Sequence, residues 1–130
     1  MKTNMDTVNG LIKAGDTIKA LYALKTMKGD RARFLEATLL SQGLDDIRCL
    51  ASLNAISENK KDDSYWMLRA YSCVNLGLVG ETQESLKKIS TIDSNFTKIL
   101  VRNAMFMTDT AVLNSIVDST VESESLDTKL

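Results

Sequence analysis

The spacing of the apolar residues is the feature that most constrains how this chain can fold. Apolar residues recur at steps of three and four along most of the sequence, and no Pro interrupts them. This period puts apolar side chains on one face of a helix, whereas a half-buried strand needs strict alternation. The breaks pair Gly with Asp, at Gly15–Asp16, at Gly29–Asp30, and at Gly43 followed by Asp45. Gly ends a helix and Asp caps the next, so the sequence predicts an all-α protein.

With further start signals at Ser64 after Asp62–Asp63, at Ser94 with Thr97, and at Thr108–Asp109, these breaks define eight predicted helices. The predicted ranges are 4–14, 17–27, 31–42, 45–57, 64–76, 81–90, 95–107 and 110–118. The connectors between them are short, and the longest polar one is residues 58–63. Short connectors bring consecutive helices together as antiparallel neighbours, so we expect a series of helix hairpins.

The predicted hairpins also repeat. Gly43 and Gly77 lie 34 positions apart, and each separates an apolar helix from a following Leu. Three positions of the second helices match at offsets of 29 and then 36, in the sets Ile18, Leu21, Leu24; Ile47, Leu50, Leu53; and Gln83, Leu86, Ile89. A helix–turn–helix unit of about 34 residues is the tetratricopeptide period, and one such unit cannot bury its own apolar face. We therefore expect a short tetratricopeptide-like right-handed solenoid of about three to four hairpins.

Length and charge bound the domain organisation and the partners. The 130 residues suffice for one domain, expected at 1–118, followed by an acidic, flexible tail at 119–130. From Asp118 onward there are four acidic residues and one Lys, so the 17 acidic and 16 basic residues of the chain leave 13 and 15 in the body. A body charge near +2 creates no field that selects nucleic acid or an anionic membrane.

Targeting signals and cysteine usage indicate a compartment. The first residues contain no apolar run of the signal-peptide kind, and no segment approaches the roughly 20 apolar residues of a membrane span. Cys49 and Cys73 each lie within an apolar helical pattern, which favours buried free thiols; a disulfide is the alternative. We expect a small cytoplasmic protein.

The sequence offers little material for catalysis. It contains no His, which excludes His-based general bases, Ser-His and Cys-His pairs, and His-containing metal clusters. The run GLVGE at 77–81 fits neither nucleotide-binding glycine pattern, and a turn between helices explains it. The prediction is a protein without enzymatic activity, cofactor or metal.

A second apolar stripe on the helix at 64–76 suggests a binding surface. Trp66, Ala70 and Cys73 form one stripe, which is expected to hold the stack together, and Met67, Tyr71 and Val74 form another about 100° round the helix. In a tetratricopeptide-like stack the second stripe lies on the concave wall. With the counterparts one repeat earlier and near the C-terminus, the predicted partner-binding residues are Ala37, Leu40, Met67, Tyr71, Val74, Met105 and Phe106. Such a Met- and aromatic-lined groove suits an amphipathic helix; the alternative is that the stripe is core.

One stretch resembles a known family. YWMLRAYSCVNLGLVGETQESLKKI, at 65–89, is similar to the segment of type III secretion needle-subunit chaperones that carries Trp, Leu, a small residue or Cys, then Leu-Gly-Leu and a second helix. The corresponding residues here are Trp66, Leu68, Cys73, Leu76–Leu78, Glu84 and Leu86. Upstream, ARFLEATLLSQGLDDIRCLASL resembles the preceding hairpin of that family, and the resemblance spans about residues 30 to 107.

The resemblance implies a bacterial cytoplasmic co-chaperone with a tetratricopeptide-like fold. Such a protein acts in a hetero-oligomer with a smaller helical co-chaperone, and together they keep the needle subunit soluble, with the subunit's amphipathic helix in the concave groove. Two alternatives remain open at this point. One is a chaperone of translocator or effector proteins, and the other is a scaffold or adaptor without enzymatic activity.

Overall fold

The computed structural model describes residues 4–108, and every regular element among them is helical. The elements are α1 Met5–Lys13, α2 Thr17–Lys25, α3 Asp30–Gln42, α4 Asp46–Asn54, a 3-10 turn Glu58–Lys60, α5 Asp63–Asn75 and α6 Val79–Lys87. Residues 94–108 are also helical and are called α7 below. The all-α class is therefore confirmed. The seven predicted helices within this range are present, with ends that differ by up to three residues. The predicted helix at 110–118 and the predicted tail at 119–130 lie outside the described residues.

Short polar side chains cap the start of most of these helices. In each case a side-chain oxygen accepts a hydrogen bond from the backbone amide three residues later. The capping residues are Asn4, Asp16, Asp45, Asp62 and, for α7, Asp93. Each bond satisfies an amide that has no partner within the helix, which stabilises the fold by about 1 kcal/mol per cap. Asp16 and Asp45 therefore cap the helices as predicted, whereas at Gly29–Asp30 the helix starts with Gly29 as the cap residue and Asp30 makes no cap bond.

The turn inside each hairpin uses a left-handed residue at the same place. Gly15, Leu44 and Gly77 have φ angles of 79°, 63° and 73°, and each lies two residues after its helix ends. Gly43 was aligned with Gly77 in the sequence, but its φ is −84°. The second hairpin therefore makes its turn at Leu44, one residue later, and the repeat offset between the second and third hairpins is 33 rather than 34.

Hydrogen bonds that close the hairpins follow the offset of 33. The carboxylate of Asp30 accepts hydrogen bonds from the amide and hydroxyl of Ser57. The carboxylate of Asp63, the equivalent residue of the next hairpin, accepts them from the amides of Ser90 and Thr91. Both sets of bonds tie the start of a hairpin's first helix to the chain just after its second helix. Residues 30–57 and 63–90 are thus two copies of one structural unit.

This offset corrects the predicted alignment of the second helices. Leu24, Leu53 and Leu86 are all buried, at offsets of 29 and then 33. The predicted offset of 36, which paired Leu50 with Leu86, is wrong. The two registers differ by three positions, nearly one helical turn, so both put apolar residues on the same face and periodicity alone did not separate them.

The core is built from layers that join successive hairpins. Each helix packs against its neighbours in sequence, and α3 also contacts α5. One cluster joins α1 and α2 to α3, a second joins α3 and α4 to α5, and a third joins α5 and α6 to α7. Each hairpin therefore buries its apolar face on the first helix of the next one, as in repeat proteins. The right-handed superhelical course stays a prediction.

The two cysteines are buried free thiols, as predicted. Cys49 Sγ accepts a hydrogen bond of 3.2 Å from the hydroxyl of Ser72, which ties α4 to α5. Burial raises the pKa of both the Cys49 and the Cys73 thiol. Both side chains are therefore small neutral core residues at neutral pH.

Candidate binding groove

A groove with a volume of about 670 Å³ lies on one side of the first helices of the hairpins. The helices α3, α5 and α7 and the connector after α6 form its walls. The lining residues are Phe34 and Thr38; Asp63, Ser64, Met67, Leu68 and Tyr71; Ile89, Thr91 and Asp93; and Asn95, Lys98, Ile99 and Arg102. Because α3, α5 and α7 are the first helices of successive units, the groove depends on the stacking of hairpins and not on any single one.

The floor of the groove is apolar and contains two residues from the same position of the repeat. Phe34 on α3 and Met67 on α5 are related by the offset of 33, and both are half-buried. Thr38 and Tyr71, one turn further along each helix, have the same relation. Tyr71 keeps 39% of its surface exposed. The floor therefore offers two aromatic rings with a large apolar contact area and a flexible Met side chain that adapts to the shape of a partner.

The two carboxylates beside this floor, Asp63 and Asp93, accept hydrogen bonds from backbone amides. Asp93 Oδ1 caps α7 through the amide of Phe96. The amides of Ser90 and Thr91 hold the pKa of the Asp63 carboxyl below its usual range, with the Ser90 bond the larger cause. Both carboxylates thus fix the connector and the start of α7, which form one wall of the groove.

The two basic side chains of the groove, Lys98 and Arg102, are not neutralised by the groove's carboxylates. Arg102 donates a hydrogen bond of 2.8 Å to the neutral Oδ1 of Asn75. Neither Lys98 nor Arg102 forms an ion pair with any residue in the range 4–108. The α7 wall therefore presents two positive charges that can meet an acidic side chain of a bound polypeptide.

The structure separates the predicted partner-binding residues into buried and accessible ones. Ala37, Leu40 and Val74 are buried in the chain's own core. Ala37 and Leu40 pack between α3, α4 and α5, and Val74 packs with α6 and α7. The predicted exposure of these three residues in a groove is wrong, because the face of the first helix that they occupy is covered by the second helix of the same hairpin and by the first helix of the next.

The other four predicted residues lie at accessible positions. Met67 and Tyr71 line the groove. Met105 and Phe106 lie on α7 and are exposed, at 61% and 37%, but they are not among the groove-lining residues. Binding of a partner by these four residues stays a prediction.

The companion stripe of α5 packs as expected. Ala70 and Cys73 are buried, which confirms their predicted packing role. Trp66 is half-buried against the cluster that joins the second and third hairpins. This stripe therefore holds successive hairpins together.

Sequence reasoning missed Phe34, Thr38 and the α7 residues of the groove. The first two depend on the repeat register. An offset of 34 from Met67 and Tyr71 leads back to Arg33 and Ala37, whereas an offset of 33 leads to Phe34 and Thr38. A shift of one residue turns a helix position by about 100°, from the groove to the core. The recurrence of Asp at the start of successive first helices, at 30 and 63, was the available signal for the correct offset.

The described residues also bear on metal binding and on membrane spans. Residues 4–108 contain no group of three or more Cys, Asp or Glu side chains placed to hold a metal ion. None of the helices in this part of the chain combines the length and the apolar character that crossing a membrane requires.

Comparison with known proteins adds no relative. No protein-family model, no curated protein and no solved structure matches this chain. The fold and the groove define a class: a protein of stacked helical hairpins with an apolar groove large enough to bind a peptide.

Proposed function

We propose that this protein is a cytoplasmic chaperone of a type III secretion needle subunit. In this proposal the groove between α3, α5 and α7 holds an amphipathic helix of the subunit, and a second small helical co-chaperone completes the complex. Binding covers the apolar face through which the subunit polymerises, and so prevents premature assembly. The proposal combines the family resemblance at residues 30–107 with the groove.

The volume of the groove is the observation that carries the proposal. An α-helix with its side chains is about 10 Å across and rises about 5.4 Å per turn, so three turns fill roughly 1,250 Å³. A helix sunk to half its depth displaces about half of that, roughly 630 Å³. The groove measures about 670 Å³. A groove of this volume is therefore large enough for part of an amphipathic helix, which presents its apolar residues at i, i+3 or i+4, and i+7.

The chemistry of the lining supports the same kind of guest. Met67, Leu68 and Tyr71 supply an apolar strip along α5, and Phe34 extends it onto α3. Half-embedding leaves the polar face of the guest in water, so its charged residues need no partner in the groove. The two α7 cations described above can meet an acidic residue at the border between these two faces.

The direct test is to follow needle-subunit polymerisation in the presence of the chain. The needle subunit of the same bacterium is mixed with the protein, with and without the small co-chaperone, and the polymer is sedimented. We expect the subunit to stay in the supernatant as a complex of defined size. Polymerisation at an unchanged rate with both chaperones present contradicts the proposal. Retention of a translocator or effector protein instead supports the alternative chaperone class.

Two variants test whether the groove is responsible. Met67→Glu and Tyr71→Glu place a charge on the apolar floor and are expected to abolish protection of the subunit. Ile18→Glu is the matched control, since Ile18 is 82% exposed on α2, outside the groove. Far-UV circular dichroism establishes that each variant remains helical. Equal loss of protection in all three variants contradicts a role for the groove.

A further inference from the structure

Trp66, the only Trp of the chain, is surrounded by positive charge. The Lys61 Nζ, the Arg69 Cζ and the Lys88 Nζ each lie 5.8 Å from the centroid of its ring system. Lys61 comes from the connector after the 3-10 turn, Arg69 from α5, and Lys88 from the end of α6. Folding thus brings Lys88, which is 22 residues away in sequence, beside Lys61 and Arg69 around a half-buried indole that is not part of the groove. We call Lys61, Trp66, Arg69 and Lys88 the cationic indole site.

The positive charge of this site is incompletely balanced. Lys61 pairs with Glu58 at 2.8 Å. Among residues 4–108, Arg69 donates hydrogen bonds only to neutral oxygens, the Glu81 carbonyl and the Ser85 hydroxyl. Lys88 has no ion pair with any other residue between 4 and 108. Three cations around one ring lie within about 12 Å of one another, a distance shorter than the screening length of about 30 Å in 0.01 M salt, so at low ionic strength they act together on a nearby carboxylate.

The chain itself carries a segment of complementary charge. Asp118, Glu122, Glu124 and Asp127 provide four carboxylates within a short stretch, with no basic residue among them. Within the rest of the sequence basic residues outnumber acidic ones, so this segment holds the main surplus of negative charge. Carboxylates bound beside the indole satisfy the cations, and the apolar side chains at 121 and 126 can cover the ring.

The distance between the two is short enough for an intramolecular contact. The α7 helix touches the start of α6, where Asn103 donates a hydrogen bond to the carbonyl of Val79. The nine residues of α6 span about 14 Å from there to the turn that carries Lys88. The chain from Thr108 to Glu122 reaches up to about 46 Å when extended, and about 32 Å with the predicted helix at 110–118 formed. A tethered segment also acts at an effective concentration of about a millimolar, far above that of a free acidic peptide.

We propose that residues 118–127 bind the cationic indole site of their own chain. Bound there, the acidic segment covers Trp66 and neutralises Arg69 and Lys88. This inference is independent of the proposed chaperone activity, because none of the site's residues lines the groove.

The fluorescence of Trp66 tests the proposal in the whole chain. The variant Asp118→Asn, Glu122→Gln, Glu124→Gln, Asp127→Asn removes the four carboxylates and keeps the length of the chain. At low ionic strength we expect quenching by iodide, an anion, to increase about twofold or more in this variant, because the freed cations attract it. Quenching by neutral acrylamide is expected to rise less. Adding a synthetic peptide of residues 118–130 to the variant should restore protection.

Two lysine variants serve as controls. When Lys61→Gln and Lys88→Gln are introduced into both chains, the difference in iodide quenching between the chain with the acidic segment and the chain with the neutralised segment should disappear. In Lys13→Gln, Lys19→Gln, which removes two lysines of the first hairpin, it should persist. Equal iodide quenching in the parent and the neutralised chain overturns the proposal. Protection that is lost on dilution also overturns it, since the segment then binds a second copy of the chain.

Discussion

Val74 and Tyr71 allow the distinction between core and groove to be measured on one helix. The sequence pattern placed both on a single exposed stripe of α5. In the structure Val74 is fully buried with Ala70, Leu86 and Ile99, whereas Tyr71 is 39% exposed and lines the groove. We expect Val74→Ala to destabilise the fold and leave the groove intact. Tyr71→Ala is expected to leave the fold nearly intact and to weaken binding of an amphipathic helix.

The size of the Val74→Ala effect follows from its burial. The change removes two methyl-sized groups, each of which contributes about 0.8 kcal/mol through burial, or about 1.6 kcal/mol together. If the surroundings do not relax, a cavity of about 50 Å³ adds about 1.2 kcal/mol at about 24 cal/mol per Å³. The free energy of unfolding should therefore fall by about 2–3 kcal/mol, which lowers the Tm of a domain of this size by about 10 °C. For Tyr71→Ala we expect a loss of at most about 1 kcal/mol, since its ring remains partly in water.

Urea unfolding followed by far-UV circular dichroism measures the first effect. The midpoint should fall at an unchanged slope with denaturant, which shows that unfolding exposes the same surface in both proteins. Isothermal titration with the needle subunit's amphipathic helix, below the unfolding temperature of both variants, measures the second. The assignment of Val74 to the core and Tyr71 to the groove is refuted if Val74→Ala abolishes binding and costs less than about 0.5 kcal/mol, the range expected of an exposed position.

Three further predictions concern stability and thiol chemistry. Because its amide bonds lower the pKa of Asp63, its contribution to stability is present above the unfolded pKa of about 3.9 and is lost as the pH falls through the lower folded value. The difference in Tm between the parent and Asp63→Asn should therefore shrink below about pH 4, and a difference that grows in acid contradicts this role. Leu44→Gly should raise the free energy of unfolding by about 0.5–1 kcal/mol, because Leu44 is left-handed and 81% exposed. Gly77→Ala should lower it by a similar amount, because Gly77 is also left-handed. The urea midpoint must therefore shift up in the first variant and down in the second. Cys49 and Cys73 should react with an aromatic disulfide reagent at least about 100-fold more slowly in the native protein than in denaturant, because they are buried and their pKa values are raised; fast labelling of the native protein contradicts their placement in the core.

The helices were predictable because their signals are local. Asp16, Asp45 and Asp62 each cap a helix by accepting a hydrogen bond from the backbone amide three residues later. Gly15 and Gly77 adopt the left-handed conformation that ends a helix. Each of these amides lies within one helical turn of the Asp that accepts its hydrogen bond, and the left-handed φ angle belongs to the Gly itself. Helix positions could therefore be predicted without knowledge of any tertiary contact.

The repeat register was not predictable from apolar spacing. Gly43 was the natural partner of Gly77 in the sequence, yet Leu44 takes the left-handed position. A left-handed Leu costs about 1–2 kcal/mol, so the sequence favoured Gly43 for that position. The resulting error of one position replaced two groove-lining residues of α3 with Arg33 and Ala37, of which Ala37 is core.

The sequence by itself determined that this protein is all-α, where its helices start, that its cysteines are buried, and that Met67 and Tyr71 share a face of α5. Only the tertiary structure decided which of the apolar positions are covered. Ala37, Leu40 and Val74 have the same apolar character as the groove residues, but the second helix of their own hairpin and the next hairpin pack over them. Tertiary packing also brought Lys88 to the ring of Trp66, next to the sequence neighbours Lys61 and Arg69. Burial and charge clustering depend on contacts between residues far apart in sequence, and helical periodicity carries no information about them.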